Sequence, residues 1–219
     1  MIDWHKIKTV LLDMDGTLLD LNFDNYFWQE FVPMQFARKR GLNIEDAKLQ
    51  LARRYDAVAG TLDWYCVDYW TQTLNLDISV LKKEIAHLIA VHPHVADFLV
   101  SLRNAGKRLI LVTNAHHKSL ELKMKHTRLA THFDLVVCAH EFGMPKEDIE
   151  FWRHLRELER FDPVSTLLID DNDTVLRSAH NYGIQYLLSV NKPDTQKAGK
   201  ASSDFQMITS FKDLMPINQ

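Results

Sequence analysis

Val10-Leu11-Leu12-Asp13-Met14-Asp15-Gly16-Thr17-Leu18 is the stretch on which the reading of this chain turns. Apolar residues run directly into two carboxylates one residue apart, and Gly-Thr follows. A short apolar run closed by a turn signal reads as a buried strand. The carboxylates then stand at its carboxyl end, where open α/β sheets hold their ligands. Side chains at i and i+2 of an extended segment point the same way, so Asp13 and Asp15 converge if strand geometry persists through both. Two carboxylates so close repel each other and require a cation, a proton or backbone donors. Gly16 allows a sharp exit. Taken alone, the pair is equally consistent with an Asx-Gly turn after a strand.

Three later segments change that balance. Arg108-Leu109-Ile110-Leu111-Val112-Thr113-Asn114 is a second apolar strand, ending in a hydroxyl and an amide. Gly143-Met144-Pro145-Lys146 is a loop presenting one lysine. Thr166-Leu167-Leu168-Ile169-Asp170-Asp171-Asn172-Asp173 is a third strand, closed by a cluster of acids. Each motif by itself has an ordinary explanation, Thr-Asn as a helix cap and Pro-Lys as a surface turn.

Composition narrows the class. A chain of 219 residues suits one core with a large insert or a small second domain. Hydrophobic residues at 46% and charged residues at 25% are ordinary for a soluble globular protein. A net charge of -3 makes no electrostatic case for a nucleic-acid polymer. Two cysteines, Cys66 and Cys138, cannot build a disulfide framework, and no stretch of apolar residues is long enough to span a membrane. With no apolar signal core near Met1, a reduced cytoplasmic setting is the expectation. The closest histidine pairs, His92/His94 and His116/His117, lack helical zinc-ligand spacing, so no zinc centre is expected.

From Leu18 to about His92 the pattern is helical throughout: Asp24 to Val32, a segment capped near Asn43, the aromatic run Asp63 to Trp70, and Ser79 to Ala90. Strands then alternate with helices: strands 108–112, 134–138, 165–169 and 185–190, and helices 94–104, 117–127, 147–159 and 174–182. That alternation predicts a parallel sheet with right-handed crossovers. Asn191 to Ser203 reads as a mobile loop, with Phe205 to Leu214 returning to the core edge.

Strand-end acids, then Thr, then Lys, then strand-end acids, in this order, resemble the four motifs of the haloacid dehalogenase-like hydrolase superfamily, over residues of about 8 to 190. The resemblance implies an α/β, Rossmann-like parallel core (residues 1–17 and 93–219) with a helical cap inserted after the first strand (18–92). It also implies magnesium, with the Asp13 carboxylate, the Asp15 backbone carbonyl and Asp170 as ligands and Asp171 in or beside the shell. Asp173 is the less certain acid and is expected to cap the last helix. The implied roles are Asp13 as nucleophile, Asp15 as general acid and base, Thr113 and the Asn114 N–H on phosphoryl oxygens, and Lys146 as a fixed positive charge. The dehalogenase branch lacks the second aspartate, so Asp15 points to phosphoryl transfer. A phosphomutase keeps the same motifs and stays open, and an interaction protein would be expected to have lost Asp13 or Lys146.

Leu18 to Trp28, Leu62 to Trp70, Thr113-Asn114-Ala115-His116 and Phe142 to Asp148 look like the bacterial GMP/IMP nucleotidase branch. The resemblance implies a purine 5′-mononucleotide as the small-molecule substrate, with phosphoglycolate or a sugar phosphate as the alternative. Tyr26, Phe27, Trp28, Trp64, Tyr65, Tyr69 and Trp70 could supply a stacking face or simply fill the cap core. Asn25, Asp63 and Asp68 are candidates for reading the base edge. The sequence leaves open whether His116 and His117 face the phosphate or start a helix, and it does not fix the oligomeric state.

Overall fold

A computed structural model describes residues 2–217. Six parallel strands form one sheet in the order β3-β2-β1-β4-β5-β6. They are β1 (Thr9–Leu12), β2 (Arg108–Thr113), β3 (Leu135–Cys138), β4 (Thr166–Asp170), β5 (Tyr186–Val190) and β6 (Gln206–Ile208). The chain winds outward from β1 to β3, then crosses to β4 and winds outward again. The strand order therefore reverses between β1 and β4, and a crevice opens at their carboxyl ends.

The apolar run of β1 is buried on both faces, as expected of a central parallel strand. Val10 and Leu12 face one hydrophobic cluster together with Leu109, Leu111, Leu167 and Ile169, whereas Leu11 faces the other with Ile110, Val112 and Leu168. Helices cover both faces. On the first, α7 (Val95–Asn104) inserts Phe98 and Leu99; on the second, α9 (Ile149–Leu158) and α10 (Asp173–Tyr182) insert Trp152 and Leu176.

Between β1 and α7 lies an all-helical insert. It comprises α1 (Asn22–Tyr26), a π-helical turn (Phe27–Phe31), α2 (Val32–Arg40), α3 (Ile44–Val58), α4 (Leu62–Tyr65), α5 (Val67–Leu74) and α6 (Ile78–Glu84). The π-helical turn places Phe27 inside and Trp28 partly exposed. The aromatic run 63–70 is not one helix. It breaks at Cys66, whose sulfur caps α5 by accepting the Tyr69 N–H at 3.4 Å. The apolar interior of the insert, with Phe23, Phe27 and Trp70, is continuous with the first face of the sheet. At the junction, Leu19 bridges Asp15 on one side and Val91 on the other. The remaining long helix, α8 (His117–Thr127), follows β2.

Two expectations need revision. The loop 191–203 is pinned rather than mobile: Asn25 donates to the buried Asp194 carboxylate at 2.6 Å, the Thr195 N–H and hydroxyl reach Asp20, and the Lys200 ammonium bonds the Asp171 carbonyl. The returning segment adds a sixth strand, β6, paired to β5. Asp173 does not cap α10. Asn172 does so, accepting the Thr174 N–H at 2.9 Å, while Asp173 pairs with Ser189 and Lys200.

Candidate active site

The sheet register sets the site. Leu12 sits level with Ile169 of β4 and Leu111 of β2, so the residues that follow, Asp13, Asp170 and Val112, share one level at the carboxyl edge. Lys146 arrives there from the loop after β3. Its ammonium donates to Asp13 at 2.5 Å, to Asp170 at 2.7 Å and to the Val112 carbonyl at 3.2 Å. All three charged side chains are buried. Asp171 completes the group, and a carboxylate oxygen from each of Asp13, Asp170 and Asp171 lies within 4.8 Å of the others.

Three carboxylates around one ammonium leave a surplus of negative charge. Burial holds the Asp13 carboxyl well above its ordinary range. Asp170 and Asp171 push it further up, and Lys146 pulls it down. Burial and the Asp170 charge push Asp171 up to about 7. The Lys146 ammonium is raised by Asp13 and Asp170, whose attraction outweighs its burial. Such a set of oxygen donors suits a hard divalent cation such as magnesium. Gly16 supports the same reading: its φ is +84°, and a Cβ there would stand 2.6 Å from the Asp171 carboxylate. Only a residue without a side chain leaves that carboxylate its place.

β1 ends at Leu12, before both carboxylates, and the two take different cations. Asp15 pairs with Lys123 of α8 at 2.7 Å, and Lys123 in turn reaches Asp24 at 2.5 Å. Lys82 of α6 bonds the other Asp24 oxygen at 2.8 Å and lies over the Phe27 ring, 4.5 Å from its centre. Burial raises the Asp15 carboxyl against the pull of Lys123, whereas Lys123 and Lys82 together overcome burial and hold Asp24 far below the usual carboxylate range. Asp15 and Asp13 still line the same cavity of about 500 Å³. Sequence reasoning missed Lys123, Lys82 and Asp24. Their only trace is a lysine on each of two amphipathic helices, which ordinarily reads as a solvated charge.

Thr113, the last residue of β2, and Asn114 after it line the cavity. The Thr113 hydroxyl accepts the Ala115 N–H at 3.0 Å. The Asn114 side chain is spent on support: its oxygen accepts the Lys146 N–H at 2.8 Å and its amide donates to Glu147 at 2.8 Å. Glu147 also accepts from Asn172 and from the Tyr65 hydroxyl, at 2.9 Å, tying the insert to the sheet. Ser119 of α8 went unnoticed in the sequence; its buried hydroxyl lines the cavity without a hydrogen-bond partner.

The wall supplied by the insert includes Asn25, Trp28, Gln29, Tyr55, Trp64 and Tyr65. Phe27 and Trp70 are core residues, fully buried. Asp63 and Asp68 do not line the cavity. His116 starts α8 as its N-cap and also lines the cavity wall. Burial, then the neighbouring His117 and His140, press His116 down to about 4, so it is neutral near pH 7.

No helix of the described residues is long and apolar enough to cross a membrane. The chain is 41% identical over 215 residues to the GMP/IMP nucleotidase YrfG of Escherichia coli (strain K12), covering 98% of this chain and 97% of that protein. Pyrophosphatase PpaX of Bacillus velezensis is 24% identical over 81% of each chain. Among solved structures, a HAD phosphatase from Thermococcus onnurineus superposes with a TM-score of 0.79 at 23% identity, over 95% of this chain and 96% of that one. The L-2-haloacid dehalogenase PA0810 superposes at 0.66 and 18% identity, over 95% and 97%. With the haloacid dehalogenase-like hydrolase model matching residues 7–183 on top of this sheet order and strand-end site, the chain belongs to that family and is an enzyme of the hydrolase class.

Proposed function

We propose that the protein is a magnesium-dependent phosphomonoesterase working through an aspartyl-phosphate, with purine 5′-mononucleotides as substrates. The observation that carries the reading is the Lys146 ammonium held between Asp13 and Asp170 at the strand-end crevice, beside Asp171. Asp13 attacks phosphorus. The bond between its carboxylate oxygen and phosphorus forms as the bond to the leaving alcohol breaks, which splits one hard hydrolysis into two steps. Asp15, its carboxyl raised by burial, gives the leaving oxygen a proton. It then takes one from the water that releases phosphate. Lys146 offsets charge on Asp13 and on the transferring group. The Thr113 hydroxyl and the Asn114 N–H are the proposed donors to phosphoryl oxygens, with Asn114 braced by Lys146 and Glu147. Asp13, Asp170, Asp171 and the Asp15 carbonyl are the proposed magnesium ligands; the ion supplies charge neutralisation between carboxylate and phosphate.

The insert, over residues 18–92, is then a cap over the crevice. Its nucleotide preference rests on the E. coli relative's name and on the aromatic wall. Trp28, Tyr55, Trp64 and Tyr65 offer faces on which a purine stacks, worth about 1–3 kcal/mol per base. Asn25 and Gln29 stand on the same wall as polar readers of the ring edge. Phosphate release from p-nitrophenyl phosphate and from a nucleotide panel, with magnesium and with EDTA, tests both levels. Full activity in EDTA overturns the mechanism. A higher kcat/KM for phosphoglycolate or a hexose phosphate than for GMP and IMP overturns the substrate and leaves the phosphatase, and an isomeric phosphate ester with little free phosphate points to a mutase.

A further inference from the structure

Three residues far apart in sequence, Cys66, His116 and His140, meet where the insert rests on the sheet. Cys66 lies between α4 and α5 in the insert. His116 follows β2, and His140 stands in the short turn after β3. The Cys66 sulfur and one ring nitrogen from each histidine lie within 4.8 Å of one another. The His116 and His140 rings meet edge to face, 4.9 Å between centres.

The environment of His140 is what singles this cluster out. Its Nε2 is buried and has no hydrogen-bond partner among the described residues. A neutral imidazole protonated on Nδ1 presents that Nε2 lone pair to a cation. A buried acceptor with nothing to accept from is destabilising, and a ligated cation removes that cost. The sulfur is also fixed, by the Tyr69 N–H. Asp68, in the first turn of α5, has a carboxylate oxygen 3.7 Å from His116 Nε2 and stands at the edge of the group.

We propose that Cys66, His116 and His140 form a zinc-type site that clamps the insert onto the sheet. Thiolate and imidazole donors select soft or borderline cations over magnesium, whereas the three-carboxylate cluster does the reverse. Bonds of roughly 2.0–2.3 Å put the ligands of a tetrahedral zinc roughly 3.3–3.8 Å apart. Side-chain shifts of about 1 Å, with His116 releasing the Lys118 N–H that its Nδ1 accepts at 3.4 Å, close the present group onto the ion, with water or Asp68 in the fourth position. On binding, the Cys66 thiol gives its proton to solvent. One ligand comes from the insert and two from the sheet side, so the ion bridges them and opposes the opening through which substrate enters and product leaves. Bound zinc therefore slows turnover while stabilising the fold.

Cobalt(II) is the direct probe, added to the full-length protein in excess magnesium so that the carboxylate cluster is occupied. The wild type is expected to take up one cobalt with an intense near-ultraviolet thiolate charge-transfer band. Cys66→Ser removes the band, and His140→Ala weakens binding at least about tenfold. A band that survives Cys66→Ser assigns the thiolate to Cys138, the other cysteine, and overturns the proposal, as does a wild type with no band. Zinc is expected to raise the Tm of the wild type and not of Cys66→Ser, with circular dichroism confirming that the variant is folded. Zinc is also expected to inhibit hydrolysis of p-nitrophenyl phosphate at least about tenfold more strongly in the wild type than in Cys66→Ser. Equal inhibition of both places zinc at the aspartate cluster and overturns the clamp. A protein with the cobalt band but no phosphatase activity refutes the proposed function and leaves this site standing.

Discussion

Two buried clusters of lysine and aspartate lie close together in this molecule and are built on opposite charge plans. At the strand ends, one ammonium, Lys146, pairs with Asp13 and Asp170 beside a third carboxylate, Asp171, and all three acids are raised. Beneath the insert, Lys82 and Lys123 serve Asp24 and Asp15, and Asp24 is held far below its usual range. The second cluster is neutral when fully ionised and complete in itself. The first, ionised, lacks two positive charges. Matched charge anchors one part of the chain to another, whereas a buried deficit marks a place designed to receive something.

The sharpest break between the two comes from deleting one acid in each. Asp13→Asn keeps shape and relieves repulsion. Turnover is expected to fall by at least about 10⁴-fold, measured as phosphate release, while the Tm holds or rises. Asp24→Asn does the converse. It strands two lysines in an apolar setting and is expected to cost about 3–5 kcal/mol in urea unfolding. If Asp13→Asn unfolds the protein and Asp24→Asn leaves stability untouched, the assignment of deficit and anchor is reversed.

Magnesium separates the clusters without disturbing either core. At about 100 times its Kd a cation that binds only the folded state adds about 2.7 kcal/mol, read as a rise in Tm that EDTA reverses. Asp170→Asn is expected to abolish the rise; the same variant leaving it intact would sink the strand-end site as the place of binding.

The smallest expected effect concerns His116, which lines the same cavity and belongs to neither cluster. Its folded value is about 4 and its unfolded value about 6.5. Below pH 6.5 the unfolded chain takes up a proton that the folded chain refuses, so stability drains as pH falls from 6.5 toward 4, and above 6.5 this group contributes nothing. His116→Asn keeps a helix cap and is expected to flatten that slope of Tm against pH, measured with a chelator present.

The strand-end site was legible because each part is local. An apolar run of four or five residues that stops at an acid, or at Thr-Asn, announces both a buried strand and what stands at its end, and parallel register does the rest. β6 was not legible as a strand, since Gln206-Met207-Ile208 is too short to show a period and owes its existence to the open edge of β5. The break at Cys66 escaped because a sulfur is an uncommon helix cap. The anchor joins residues 24, 82 and 123, and the thiol-imidazole group joins 66, 116 and 140. No spacing rule reaches across such intervals, and only folding makes those neighbours.

Leu19 forms a bridge with Asp15 and another with Val91. The point where the chain leaves the sheet and the point where it returns are therefore one residue's width apart. Closing so narrow a gap costs only about 2.5 kcal/mol more for seventy residues than for a four-residue turn, because closure entropy grows with the logarithm of length. The connections within the helical segment can thus vary in length, with the backbone of Asp15 left in register, so long as Phe23, Phe27, Trp70, Asp24 and Lys82 still meet the sheet side. Substrate range in such a molecule is open to change at the insert's loops and cavity wall, with the ion pairs around Asp15 kept.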